Sequence, residues 1–279
     1  MDAARPIGSY HQRVTGFPQT LTFEAFGLRA EVVVEDERVF ERLTTVLPPG
    51  WRPAPAGPAT ACFEVPSAGP ILLDGSPVGE VSDVRRVTLA RLGQAMRHLL
   101  AESAPGWIFV HAGVVSHAGT AIVIPGCSHS GKTTLVAELV RRGASYYSDE
   151  FAVVDPAGLI HPYAKPLSIR GPRATVFGVP TEPPTQQIGT EPMRAGLIVL
   201  TGYEPGASWA PVDCEPGEAA LAVLEHVIAA RLRPRESLRA ARHLAEGSRA
   251  LRGPRGEVAE VAADVLRVAE GGRTAPSLR

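Results

Sequence analysis

The chain contains no asparagine, and Lys132 and Lys165 are its only lysines; every other basic residue among its 28 Lys and Arg is arginine. Without Asn it lacks the metal-binding Asn of the eukaryotic-type protein-kinase catalytic loop. The skew, with abundant Ala, Gly and Pro, points to a compositional pressure against Lys and Asn. A lysine that survives such pressure is expected to be needed for its compact ammonium, which a planar guanidinium does not replace. Three cysteines, Cys62, Cys127 and Cys214, are too few and too scattered for a disulfide framework or a zinc site. A net charge of −1 gives no footprint for nucleic acid or a membrane surface. No apolar run approaches the ~20 residues of a membrane span, and the opening MDAARPIGSYHQR has no hydrophobic signal core. With 44% hydrophobic and 20% charged residues, the 279-residue chain is expected to be soluble, globular and cytoplasmic.

What is present is organised around residues 120–142, TAIVIPGCSHSGKTTLVAELVRR. Ala121 to Ile124 form a short apolar run suited to a strand covered on both faces. Gly126, Gly131, Lys132 and Thr133 then satisfy the phosphate-loop pattern G-x-x-x-x-G-K-[ST] without a mismatch. Leu135 with Leu139 and Val136 with Val140 keep helical spacing, and Gly143 stands where a helix C-cap belongs. In such a loop the glycines let successive N–H groups point inward, and the helix N-terminus adds its positive dipole end. Residues Gly126, Cys127, Ser128, His129, Ser130, Gly131, Lys132, Thr133 and Thr134 are therefore the candidate nucleotide-phosphate socket. Lys132 is expected to reach the terminal phosphates and the Thr133 hydroxyl to ligate Mg²⁺. Cys127, beside Lys132 at a helix start, is a candidate for oxidative or alkylating inactivation.

The flanking sequence supplies the rest of the architecture. Residues 21–35 alternate in two bursts around Gly27 and read as strands; 36–46 reads as a short helix capped by Asp36. Residues 59–65 and 71–73 read as strands, with Asp74-Gly75 a hairpin turn. Residues 1–80 are thus expected to form a β-rich subdomain and 81–279 the remainder. Ser82 is read as the cap of a helix running to about Ala101, and Trp107 to Val115 as a strand carrying His111. After the loop helix, SYYSDEFAVVD is strand-like sequence interrupted by Asp149 and Glu150. A buried carboxylate needs a partner, and a Mg²⁺–phosphate centre would be one. Lys165 lies in a strand-loop-strand over 161–170, and 171–192 reads as a long loop suited to a lid or a substrate contact, or as a disordered segment without function. A buried strand over 195–200, helices over 218–231 and 237–246, and a last helix from Glu257 complete the reading.

VHAGVV, IVIPGCSHSGKTTL, RRGASYYSDEFAVV and KPLSIR, in that order and spacing, resemble the catalytic domain of HPr kinase/phosphorylase. The resemblance extends to its relatives without HPr-specific parts, including peptide-tailoring serine kinases. It implies an α/β fold: a P-loop nucleotide-binding domain of the HPr kinase/phosphoenolpyruvate carboxykinase type, a mixed sheet with flanking helices. It further implies ATP and Mg²⁺ as cofactors, with Thr133, Asp149 and Glu150 as metal ligands. Asp149 matches the acid that serves as base toward a serine hydroxyl; Glu150 stands where the family has a second aspartate. His111 matches the family's histidine beside that acid, making Asp149, His111 and Lys132 the catalytic set. Lys165 and Arg170 are candidate substrate contacts. The implied activity is transfer of the γ-phosphate to a serine of a peptide or protein, within a chain that forms homo-oligomers. A kinase of a small-molecule alcohol and a nucleotide-binding regulatory module without transferase activity are the alternatives.

Overall fold

Two strands, β1 (Gln19–Ala25) and β2 (Leu28–Val34), pair antiparallel around Phe26 and Gly27, whose φ values of 49° and 73° suit a two-residue turn. Along β2, Leu28, Ala30, Val32 and Val34 are buried and the residues between them only partly so, the period of a strand with one core face. Asp36 caps α1 (Glu37–Phe40), its Oδ1 accepting the N–H groups of Arg38 (2.8 Å) and Val39 (3.1 Å). The helix expected to reach Val46 stops at Phe40, and a separate 3-10 turn covers Leu43–Thr45. Strands β3 (Arg52–Pro53), β4 (Ala61–Val65), β5 (Pro70–Leu73) and β6 (Ser76–Glu80) complete a six-stranded sheet ordered β3-β1-β2-β4-β5-β6. Only the β2–β4 pair is parallel. The expected Asp74-Gly75 turn joins β5 to β6, with φ of 49° and 77°.

This computed structural model describes residues 18–55, 57–127, 130–166 and 187–271. The chain divides into two compact units between His98 and Leu99, inside α2 (Arg85–Ser103). That helix begins three residues beyond the expected cap. The Thr88 hydroxyl accepts the Ser82 N–H (2.9 Å) and donates to the Ser82 carbonyl (3.2 Å), which holds 82–84 as a turn ahead of the helix.

The second unit is built on a sheet with helices on both faces. Its elements are β7 (Ile108–His117), β8 (Thr120–Pro125), α3 (Lys132–Arg141), β9 (Ser145–Ser148), β10 (Phe151–Val154), β11 (Ile160–His161) and β12 (Ala195–Leu200). β13 (Val212–Asp213), α4 (Pro216–Leu224), α5 (Pro234–Ala245), β14 (Arg249–Arg252) and α6 (Val258–Gly271) follow. The sheet order is β11-β10-β7-β8-β12-β14-β13, with β9 also on β7. β8, β12 and β14 run parallel to one another; the other pairings are antiparallel. On β8, Ala121 and Val123 pack with residues of α4 and α5, whereas Ile122 and Ile124 pack with residues of α3 and α6. The apolar run thus lies in a strand covered on both faces, as its composition requires. Both sheets are mixed, and the class is α/β with flanking helices.

The end of α3 follows the sequence reading. Gly143 (φ 101°) lies beyond the last turn, its N–H on Val140 O (2.9 Å) and the Ala144 N–H on Leu139 O (3.1 Å), a Schellman pattern. The helix expected over 218–231 is corrected: α4 ends at Leu224, because His226 and Val227 leave it to bond β7. Pro234 fits the first turn of α5, which therefore starts three residues before the expected Ser237. Ser128, His129, Arg170 and most of the expected 171–192 loop lie outside the described residues. Among the described residues, no helix is long and apolar enough to cross a membrane.

Candidate functional site

Gly126 and Cys127 follow β8, and Ser130 and Gly131 lead into α3. The Gly126 N–H donates to His111 O of β7 (3.1 Å) and the Ser130 N–H to Cys127 O (3.3 Å). A Cβ on Gly126 would lie 2.8 Å from Ser130 Oγ, so any larger residue there would make the Ser130 hydroxyl turn away. Gly131 caps α3 in the left-handed region (φ 80°), and the first bond into the helix runs from Leu135 N–H to Gly131 O (3.1 Å). The N–H groups of Lys132, Thr133 and Thr134 precede that bond and have no acceptor within the helix.

Lys132 begins α3 and is 6% exposed; its Nζ donates to the carbonyls of Gly126 (2.7 Å) and Cys127 (2.6 Å). Burial pushes its ammonium down to about 8, against the opposing pull of Cys127, Asp149 and Glu150. Lys132 is thus charged at neutral pH and lies within electrostatic reach of both acids. Thr133, one residue on, donates its hydroxyl to Asp149 Oδ2 at 3.1 Å.

The acids reach this point through a broken strand. β9 and β10 both pair with the same edge of β7, and Asp149-Glu150 is the two-residue kink between them. Ser148 makes the kink: its Oγ accepts the N–H groups of Glu150 (3.1 Å) and Phe151 (2.9 Å). Asp149 is buried, and Lys165 Nζ is 2.9 Å from its Oδ1 and 3.7 Å from Glu150 Oε2. The Tyr146 hydroxyl lies within bonding reach of Asp149 Oδ1 (3.1 Å) and of Lys165 O (2.9 Å). Burial, then the Asp149 charge, pushes the Tyr146 phenol upward, which keeps it a neutral donor.

His111 pairs with Phe151 across β7 and β10 and gives its N–H to His226 O (2.7 Å). Its imidazole is pushed down to about 4, first by burial and then by the Lys132 charge. It is therefore neutral at pH 7. His226 is lowered by the same two causes, and its Nδ1 stands 3.9 Å from Cys127 Sγ.

Of the residues expected from sequence, Lys132, Thr133, Asp149, Glu150, His111 and Lys165 thus come together around the start of α3. Thr134 faces solvent. Thr133 and the two acids offer hard oxygen donors, the chemistry that suits Mg²⁺ rather than zinc. Among the described residues no group of three His, Cys, Asp or Glu is gathered for a metal. A cavity of about 310 Å³ lies elsewhere, in the first unit, where the Arg85–Asp36 ion pair (3.3 Å) ties α2 to the cap of α1.

Tyr146, His226 and Arg255 were not read from sequence. Tyr146 stands three residues before Asp149 within the strand, a spacing that means nothing until Ser148 bends the chain. His226 reaches the site because α4 stops early. Arg255, between Gly253 and Gly256, carries no periodic signal at all. No protein-family model matches the chain, and no curated protein matches it.

Proposed function

We propose that the chain is a Mg²⁺- and ATP-dependent kinase, with residues 126–133 as its phosphate loop and a domain of the HPr kinase type. The observation that carries this reading is the 3.1 Å bond from the Thr133 hydroxyl to Asp149 Oδ2, beside a buried, charged Lys132. A glycine loop, a lysine and a hydroxyl–carboxylate pair at one helix start suit phosphoryl transfer, where catalysis is mostly positioning and charge stabilisation.

In this reading the loop N–H groups bind the β- and γ-phosphates, and Lys132 exchanges its carbonyl partners for phosphate oxygens. Thr133 and the acids would hold magnesium, which would supply charge to offset that of the phosphates. Asp149 takes the proton of the acceptor hydroxyl as that oxygen bonds to the terminal phosphorus. The bond to the bridging oxygen breaks, and a nucleoside diphosphate leaves. For this Asp149 must trade one of its present donors for the acceptor hydroxyl. Neutral His111 remains beside it as a polar group that adds no competing positive charge. The acceptor favoured by the sequence resemblance is a serine of a peptide or protein.

The test is calorimetric titration of Mg²⁺-ATP into wild type and Lys132→Ala, with γ-labelled ATP offered to serine-containing peptides. Wild type should bind and transfer label, and Lys132→Ala should lose both. Equal binding by the two proteins would remove the loop from the function. Binding without transfer to any hydroxyl would leave a nucleotide-sensing module instead.

A further inference from the structure

Arg255 is the most deeply buried charged side chain among the described residues, at 2% exposure. Its backbone is fixed at both ends. The Arg255 N–H donates to Gly202 O (3.0 Å), and its carbonyl accepts the Glu204 N–H (2.8 Å). The guanidinium then points at residues 130–131, ahead of α3. Its Nη2 donates to Gly131 O (2.9 Å) and approaches Ser130 O (3.5 Å), while Nη1 reaches Gly256 O (3.3 Å). The Tyr203 ring lies over it, with its centroid 5.7 Å from Cζ. Nε is buried and has no hydrogen-bond partner among the described residues. The fit against the loop is close: a Cβ on Gly131 would fall 2.2 Å from Nη2.

Among the described residues Arg255 forms no ion pair. Taking a guanidinium out of water is costly, and carbonyl dipoles with an aromatic face recover only part of that cost. The Glu257 carboxylate favours the cation, but burial outweighs it, so an anion arriving nearby would supply charge the site is short of. Of the three carbonyls it reaches, those of Ser130 and Gly131 belong to the peptide groups that carry the Gly131 and Lys132 N–H groups. A charge-assisted bond to a carbonyl polarises its peptide and strengthens the N–H on the other side.

We propose that Arg255 is a positioning residue for the triphosphate. It braces residues 130–131 from behind, and its charge acts on the bound phosphates through two peptide groups rather than by touching them. The proposal rests on the kinase reading above, whose loop it supports from outside the motif.

Arg255→Met and Arg255→Lys, titrated with Mg²⁺-ATP and followed by thermal unfolding, separate this from a packing role. Arg255→Met removes the cost of burying the cation but also takes a donor from the Gly131 and Gly256 carbonyls, so it should unfold close to the wild-type temperature. It should nevertheless bind Mg²⁺-ATP roughly tenfold or more weakly, the scale of one lost charge-assisted interaction. Arg255→Lys, which keeps the charge but not the fork, should fall between the two. A folded Arg255→Met that binds as wild type overturns the inference and leaves the kinase reading intact. A wild type that binds no Mg²⁺-ATP overturns both. Should Arg255→Met fail to fold, Arg255→Lys decides: intermediate affinity supports the proposal, and wild-type affinity ends it.

Discussion

Asp149→Asn separates the chemistry of the site from its architecture. In the wild type Oδ2 accepts from Thr133 (3.1 Å), and Oδ1 faces Lys165 (2.9 Å) and the Tyr146 hydroxyl (3.1 Å). An asparagine can keep its oxygen toward Lys165 and Tyr146 and turn its amide toward Thr133, whose hydroxyl then accepts instead of donating. The geometry survives and the charge does not. Breaking a fully buried ion pair costs about 3–5 kcal/mol. Here the Lys165 side chain is 17% exposed and keeps Glu150 at 3.7 Å. The expected cost is therefore lower, about 1–3 kcal/mol, or several degrees of unfolding temperature for a unit of this size.

Nucleotide binding should behave differently. Under the proposed reading Lys132 and the loop are untouched, and removing a negative charge close to a bound triphosphate would relieve repulsion. In EDTA, Asp149→Asn should bind ATP as tightly as wild type or more tightly, while the gain in affinity on adding Mg²⁺ shrinks. Transfer of label from γ-labelled ATP should fall by ~10² or more, since no base remains to take the hydroxyl proton. Calorimetry with and without EDTA, label transfer and thermal unfolding measure the three effects on one preparation. Transfer at the wild-type rate would remove Asp149 from the mechanism. Loss of ATP binding by a folded Asp149→Asn would show that the carboxylate holds the loop rather than acting on the substrate.

Two other perturbations probe neighbouring groups. His111 falls from 6.5 to about 4 on folding, so between those values the unfolded chain binds more protons and stability drops as pH falls. Urea titrations at pH 7 and pH 4.5 should show wild type losing on the order of 1–2 kcal/mol more than His111→Gln, after discounting the full shift for partial exposure; parallel losses would refute the buried neutral imidazole. Lys165→Arg should lower turnover with Mg²⁺-ATP by roughly tenfold, because a planar fork does not fit the place of a compact ammonium between two carboxylates. Unchanged affinity and turnover would show that only the charge matters there.

Where the sequence reading succeeded, local chemistry decided the structure. Alternation placed β1 and β2, a doubly covered apolar run placed β8, and the Leu135–Leu139 and Val136–Val140 pairs placed α3. Adjacent acids in strand-like sequence marked the kink at 149–150. Where it failed, tertiary contacts decided. β3 and β13 are two residues each, paired only because a longer strand lies beside them. The residues after Leu224 have helical composition, yet Val227 bridges Val110 of β7 and takes the chain out of the helix. Arg255 was hidden by composition: one arginine among so many has no signal until its burial is seen.

The lysines invert that argument. Scarcity made Lys132 and Lys165 conspicuous, and both belong to the same cluster: one lies within electrostatic reach of Asp149 and Glu150, the other pairs with Asp149 at 2.9 Å. Each position asks for a small cation. Lys132 Nζ fits between two carbonyls 2.7 and 2.6 Å away, where a guanidinium would have to displace the loop. Lys165 Nζ stands against two acids at unequal distances, as a point charge can, while a fork favours one carboxylate held in its plane. A background that otherwise uses arginine for every basic position has kept lysine at the two places where a planar cation would move the loop or reorient the acids. That coincidence ties the compositional reading to the geometry without reference to any motif, and Lys165→Arg is the substitution that breaks it most directly.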